Sequence, residues 1–543
     1  MHQRRLTLGL DLSTQSLSSV VIDIDSGQKV LEHSLDYLND RRLAGFGIEA
    51  ESYIVPPRVE GEADQPPLMF FASLDAMFAD LKEAGVSMEE IVVCNFSAQQ
   101  HGHTYLNKDA PFLFARLKQP GSGENSLTTL LKGCLAYHLA PIWMTSNTTG
   151  QADFIRKHVG GMERLIQISG SNAPLRFTGI IIRRVAEQFP HAYEQTHTIQ
   201  LLSSLMSAVL TGNSKVPLDF GNACGMSLMD YRKRNWSTPM VQAVSEGLPG
   251  GQSALMSKLP SIVPPDTTVG NIATYFVERY GFSPDCKIIV GSGDNPQSKV
   301  LVSGDLLSLG SSFVNMVSTD GETLDMNGFA NAMYDGVGRP FMFGCRTNGA
   351  LVWDQLRASY GLAKGKYAPA EAALQKSPVA HYMVLWQPRN ESFPPAGSFG
   401  MMRVSHETPN LGTDYAGIIE SSLSSVYLHS KNFTSETSEP MYVTGGPTTS
   451  SGIMRRVAAI WNRPLFPIER GGAALGAAVA GAWAFKQSVG EEIDIGDFSL
   501  RQLKRMRPVH PRPEDVVAYH GPAGYLEKLA SVESTVIRTH LLE

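Results

Sequence analysis

Two stretches of this chain set chemically capable side chains beside glycines. The apolar run Ile288-Ile289-Val290 reads as a buried strand, and it stops at Gly291-Ser292-Gly293 before Asp294 and Asn295. A carboxylate after glycines at the end of a strand sits where backbone can approach a ligand closely. Asp294 is therefore a candidate base. A strand, a turn and a second strand follow: residues 306–309, then Gly310-Ser311-Ser312, then residues 313–317. A glycine-hydroxyl turn can wrap N–H groups and hydroxyls around an anion. By themselves, Asp294 also suits an ordinary N-cap, and Gly310-Ser311-Ser312 a plain hairpin turn.

The N-terminus offers a second hairpin with a polar tip. Leu6, Leu8 and Leu10 alternate with Thr7, Gly9 and Asp11, the period-two pattern of a half-buried strand, and residues 19–24 form the return strand. Asp11 could hold magnesium through water, because Mg²⁺ takes one or two carboxylates plus phosphate oxygens. Residues 97–103 make a polar loop at a strand end, in which His101 is available to a polar ligand. His101 and His103 lack a third ligand nearby, which argues against a metal pair. Arg176 precedes a helix over 180–189 as a surface charge or a hydroxyl-binding donor. Residues 442–451 read as a strand, a Gly445-Gly446 turn and the start of a helix over 452–461. A helix N-terminus behind such a turn suits a nucleotide.

These residues need a large scaffold. At 543 residues the chain exceeds one core, and a division near Thr267 gives two halves, 1–267 and 268–543, with a charged tail from about 488. The tail is expected to pack as a terminal helix and loop. Residues 38–67 read as a surface insertion, 361–412 as a variable, proline-bearing region, and 415–428 as an amphipathic helix. The segment 472–485 is too short to span a bilayer, and its Ala and Gly content predicts a closely packed helix. A net charge of −6 gives no basic footprint for nucleic acid, and interspersed charges give no membrane patch. Five dispersed cysteines without a CxxC pair fit a reducing, cytoplasmic setting. GLAKGKY at 361–367 is one residue short of a P-loop and ends in Tyr367, and no G-x-S-x-G elbow occurs.

Seven segments in order carry a resemblance: DLSTQS from Asp11, QQHG from Gln99, WMTSNTT from Trp143, RFTG from Arg176, GDNP from Gly293, SLGSS from Ser308 and the Gly445-Gly446 turn. Together the chain resembles the FGGY carbohydrate kinases, and within them the eukaryotic-type xylulokinases. The resemblance implies an α/β fold of two actin-like (ribonuclease H-like) domains facing a central cleft. It implies ATP-dependent phosphorylation of a ketopentose, D-xylulose first, with Mg²⁺. Ribulose, a glycerol-like polyol, or a weakly catalytic regulator of the same fold are the alternatives. It gives Asp294 the role of base. Asn295, Gln100, His101 and Arg176, with Asp294, would bind sugar. Asp11 would hold the metal, Ser13 and Thr14 the first phosphate loop, Gly310 and Ser311 the second, and Gly445, Gly446 and Ser450 the adenosine. Sugar and ATP are the implied partners, and the oligomeric state is left open, a homodimer included. The chain departs from the pattern at Thr145, where an aspartate is usual, and at Ser311, Pro447 and Ala459.

Overall fold

The computed structural model describes residues 4–405, 407–434, 437, 439–469 and 471–540. The chain packs as two compact units. The first comprises the residues up to Leu301 together with Met333–Pro340 and Gly471–Gln502. The second comprises Val302–Ala332, the stretch from Phe341 onward, and the tail from Leu503. Residues 268–301 thus pack with the first unit, and the break in packing follows Leu301.

The main sheet of the first unit runs Thr268–Asn271, Lys287–Ile289, Ile91–Ala98, Leu6–Leu12, Ser16–Asp23, Lys29–Asp36, with Ser292–Gly293 also paired to Ile91–Ala98. Leu6–Leu12 is antiparallel to Ser16–Asp23 and parallel to Ile91–Ala98, which sets Asp11 opposite Ser97. Ser292–Gly293 is parallel to Ser97–Ala98. Three strands therefore end side by side, and in open α/β sheets ligands bind beyond such carboxyl ends.

The alternation at the N-terminus predicts a strand buried on one face; Leu6–Leu12 is buried on both. The reason is the helix Ala473–Ser488, which belongs to the first unit and covers the second face. A Cβ on Gly9 would lie 2.1 Å from the Ala474 carbonyl, and one on Gly476 1.9 Å from the Gln297 carbonyl. Asn95 and Thr7 donate to the Ala477 and Ala478 carbonyls at 3.0 Å each. Small residues in that helix thus let its backbone sit directly on the strands and on the helix Asp294–Val300.

The second unit is built on the sheet order Pro340–Arg346, Phe313–Ser318, Leu306–Leu309, Met441–Thr444, Leu465–Pro467. Leu306–Leu309 and Phe313–Ser318 form the expected hairpin. The stretch 361–412 is more regular than its composition predicts. It holds the helix Ala368–Lys376 and the strand pair Val384–Gln387 and Phe399–Arg403. That helix carries Pro369 in its first turn and buries only Ala370 and Leu374, one turn apart, so its apolar signal is short. The helix Leu411–Ser430 opens on an Asn410–Thr413 capping box.

Residues 38–61 are mostly exposed, as a surface insertion would be, with Leu43 and Ile54 buried, and residues 62–65 anchor the segment. Gln65 Nε2 donates to the Thr14 and Tyr53 carbonyls at 2.8 and 2.7 Å. The tail is more regular than the single terminal helix and loop expected of it. The tail holds three helices, Ile495–Gln502, Pro513–His520 and Tyr525–Thr539. The last two are fixed to the second unit, by Arg455–Asp515 at 2.6 Å and by Glu533 against His429 at 3.0 Å. Among the described residues no helix is long and apolar enough to cross a membrane.

Candidate active site

In the first unit, Asp294 opens the helix Asp294–Val300 directly after the Ser292–Gly293 strand. Its Oδ1 accepts three hydrogen bonds: from the Gln100 N–H at 3.1 Å, from the Asn295 N–H at 2.8 Å and from Asn295 Nδ2 at 3.1 Å. Asn295 therefore orients the carboxylate. Desolvation, and after it the negative charge of Asp11, push the Asp294 pKa up to about 7 despite these bonds. Asp11, at the end of its own strand, accepts from Ser97 Oγ at 2.6 Å. A cation placed here would offset the negative charge that Asp11 sets beside Asp294. The carboxylate oxygens are the hard donors magnesium takes. Among the described residues no group of three or more His, Cys, Asp or Glu could hold a metal alone, so phosphate and water oxygens would complete such a site.

The loop 99–102 places the next groups. His101 adopts φ +72°, an uncommon conformation for a residue with a side chain. Its Nδ1 lies 2.8 Å from the Gly225 carbonyl, and its ring stacks on Phe177 with centroids 4.4 Å apart. Desolvation, reinforced by the Arg176 charge, lowers its pKa to about 3. The imidazole is therefore neutral. The proton sits on Nδ1, where it meets the carbonyl, and Nε2 is left as an acceptor. Arg176, whose charge reaches His101, makes no hydrogen bond to another described residue. His103 contacts Tyr105 and the His101 carbonyl and is not paired with His101.

Other expected ligands are already engaged by protein. The Gln100 side chain donates to the Gly221 carbonyl at 3.0 Å, so its backbone N–H serves the site. Ser13 Oγ donates to the Ser16 carbonyl at 2.9 Å and closes its own turn. Thr14 Oγ1 donates to Gln99 at 3.0 Å and accepts from Trp143 at 2.9 Å. Thr14 therefore joins the hairpin tip to two loops. Thr145 is buried and donates to the Ala63 carbonyl at 3.1 Å. One residue that sequence reasoning missed is Asp219. It is fully buried and accepts from Ser292 Oγ at 2.6 Å and from the Gly221 and Asn222 N–H groups. It thereby fixes the turn whose carbonyls hold Gln100 and His101. Desolvation raises its pKa to about 6. Its only sequence signal is an N-cap aspartate.

In the second unit, a cavity of about 260 Å³ brings Gly310 and Ser311 together with Gly446 and Ser450; Trp353, Tyr367 and Glu371 are also in its wall. The hairpin carbonyls of Gly310 and Ser311 accept the first N–H groups of the helix Ala350–Ser359. Gly445 has φ +111°, and a Cβ there would stand 2.1 Å from the Leu309 carbonyl. Gly445 is thus the backbone contact between turn and hairpin, while a Cβ on Gly446 would meet nothing within 4 Å. Ser450 Oγ caps the helix Ser451–Trp461 by accepting from the Ile453 N–H at 3.0 Å and donates its own proton to Glu371. Glu371, in the helix Ala368–Lys376, was invisible from the sequence because it is 79 residues from Ser450.

Family models of the FGGY family of carbohydrate kinases match this chain: the N-terminal domain over residues 138–300 and the C-terminal domain over 306–485. The probable D-xylulose kinase A of Aspergillus flavus is 30% identical over 536 residues, 91% of each chain. The xylulose kinase of mouse is 33% identical over 313 residues, 57% of this chain and 54% of the mouse protein. The crystal structure of ligand-bound xylulose kinase from Lactobacillus acidophilus superposes with a TM-score of 0.79 over 99% of both chains at 17% identity, which shows a shared fold. Full-length likeness above this level of identity, and both halves of the family's model in order, establish that the chain belongs to the FGGY family of carbohydrate kinases.

Proposed function

We propose that this chain transfers the γ-phosphoryl group of ATP to D-xylulose, giving D-xylulose 5-phosphate. The observation that carries the chemistry is Asp294: a half-buried carboxylate, oriented by three donors to one oxygen and tuned to about 7. A base of that strength suits proton removal at neutral pH. Asp294 takes the proton of the acceptor hydroxyl. The freed oxygen bonds to the γ-phosphorus as the bond from that phosphorus to the ADP oxygen breaks. His101 Nε2 accepts from one sugar hydroxyl and Arg176 donates to others, while Asn295 holds Asp294 in line. Phosphoryl transfer asks for alignment and charge neutralisation more than covalent help, so one base suffices.

Sugar recognition belongs to the half 1–267 together with Asp294 and Asn295. Nucleotide recognition belongs to the half 268–543, through the cavity behind Gly310, Ser311, Gly445 and Gly446. Magnesium, when bound through Asp11, would neutralise phosphate charge. The D-xylulose assignment is supported by the likeness to the fungal kinase over 91% of both chains. The deciding experiment is ADP release over D-xylulose, D-ribulose, pentitols and glycerol. D-xylulose should give the highest kcat/KM. A higher value for ribulose or glycerol would overturn the substrate and leave the kinase, and no turnover with any of them would overturn both.

A further inference from the structure

We infer that Glu371 is the ribose-hydroxyl acceptor of the second unit's cavity and sets its preference for ribonucleotides; this rests on reading that cavity as the nucleotide site. The two carboxylate oxygens of Glu371 are used unequally. Oε1 accepts from the Gly452 N–H at 2.9 Å, from Ser451 Oγ at 3.1 Å and from Gln375 Nε2 at 2.8 Å. Oε2 accepts from Ser450 Oγ alone among the described residues. Glu371 lines the cavity and is only half-buried, so the remaining lone pair of Oε2 can be reached from it. Burial works to raise the Glu371 pKa, but the bonds from Ser450, Gln375, Gly452 and Ser451 prevail and hold it below the usual glutamate value. It is an anion throughout the neutral range.

That charge also fixes which end of a nucleotide lies here. The helix Ser451–Trp461 would by itself attract phosphate to its N-terminus. Glu371 takes the Gly452 N–H and Ser450 Oγ the Ile453 N–H, and a second anion beside the carboxylate would be repelled. Phosphates are thus directed away from Glu371, toward the Gly310-Ser311 tip that also lines the cavity, and the sugar of the nucleotide faces Glu371. Ser450 cannot take this role, because its hydroxyl both caps the helix and donates to Glu371. A hydroxyl donating to a carboxylate is a charge-assisted bond. A site that supplies such an acceptor rejects the analogue without the hydroxyl.

The test compares dissociation constants of ATP, 2′-deoxy-ATP and 3′-deoxy-ATP for the full chain and for Glu371→Gln and Glu371→Ala. At least one deoxynucleotide should bind the unaltered protein about tenfold more weakly than ATP. That ratio should shrink in Glu371→Gln, which keeps the side chain's shape, and vanish in Glu371→Ala. A general loosening of the wall weakens all three nucleotides together and leaves the ratio unchanged, so the ratio isolates the hydroxyl contact. Equal binding of the three nucleotides by the unaltered protein overturns the inference. So does a ratio untouched in both variants, and Glu371→Gln alone decides if the alanine variant does not fold. Gly446→Val, which fills the cavity, separates the two readings. If it leaves ATP binding unchanged, the cavity is not the nucleotide site and both fall. If it weakens ATP while the ratio survives Glu371→Ala, only the Glu371 role falls.

Discussion

Replacing Asp294 by asparagine should slow catalysis by orders of magnitude and make the protein harder to melt. The carboxyl titrates at about 7 in the folded chain, against an ordinary 3.8, because desolvation and Asp11 disfavour its charge. A raised carboxyl pKa means that the unfolded chain binds fewer protons than the folded one between about pH 4 and 7. Stability therefore falls as pH rises through that window, and the full cost is present above pH 7. The difference corresponds to at most about 4 kcal/mol. Partial solvent contact at a half-buried group, and relaxation, reduce it to about 1–3 kcal/mol. Asparagine keeps an oxygen for the Gln100 and Asn295 N–H groups and removes the charge. In the presence of a chelator, Asp294→Asn should melt above the unaltered protein at pH 8 and level with it near pH 4. General-base loss should lower kcat by about 10²- to 10⁴-fold. For the unaltered enzyme, kcat/KM should fall about tenfold between pH 8 and pH 6, following the deprotonated fraction of a group near 7. Calorimetric melts and ADP-release kinetics read these effects. An Asp294→Asn enzyme with normal kcat would refute the base. A variant no more stable at pH 8 than at pH 4, relative to the parent, would refute the charge argument.

Three further outcomes are expected. Asp11→Ala should nearly abolish turnover at ordinary magnesium while sugar binding, measured by calorimetry, stays within about twofold, since one ion contact is lost and no sugar contact; near-normal turnover would return Asp11 to a turn residue. His101→Ala should raise the sugar KM by about tenfold with the ATP KM unchanged, the loss of one buried acceptor and its stacking on Phe177. Because His101 titrates only near 3, sugar binding should show no His101 step between pH 5 and pH 8, and such a step that vanished in the alanine variant would contradict the neutral tautomer. Gly445→Ala should weaken ATP binding and lower the melting temperature, because the new Cβ would stand 2.1 Å from the Leu309 carbonyl at a φ of +111°; unaltered ATP binding would show that the turn does not shape the cavity.

What the sequence disclosed was local. The two hairpins, the Gly-Gly turn and the strand before Asp294 were legible because each is a short apolar run ended by glycines or hydroxyls. The alternation of Leu6, Leu8 and Leu10 identified a strand but implied one buried face. The second burial comes from Ala473–Ser488, more than four hundred and sixty residues later, and no local period records it. Gln100, Ser13 and Thr14 were singled out by the family resemblance, and all have side chains bonded to protein. A polar side chain near a ligand site is as often part of the frame as of the contact, and only hydrogen-bond accounting distinguishes the two.

The same accounting reassigns roles across the site. In the first unit Gln100 gives its N–H to Asp294 and its side chain to Gly221, and His101 gives Nδ1 to Gly225. Both carbonyls lie in the turn that Asp219 pins to Ser292, and Ser292 stands two residues before Asp294. Asp294, the loop that donates to it and His101 thus hang on one closed circuit of hydrogen bonds. Breaking Asp219 should displace them together. Hydrogen bonds to a buried carboxylate contribute about 1.5–3 kcal/mol each, so the circuit withstands the unfavourable φ of His101, which costs about 1–3 kcal/mol. The His101 conformation persists because its bond to Gly225 and its stacking on Phe177 fix it, which is the condition for a side chain held ready before any ligand arrives.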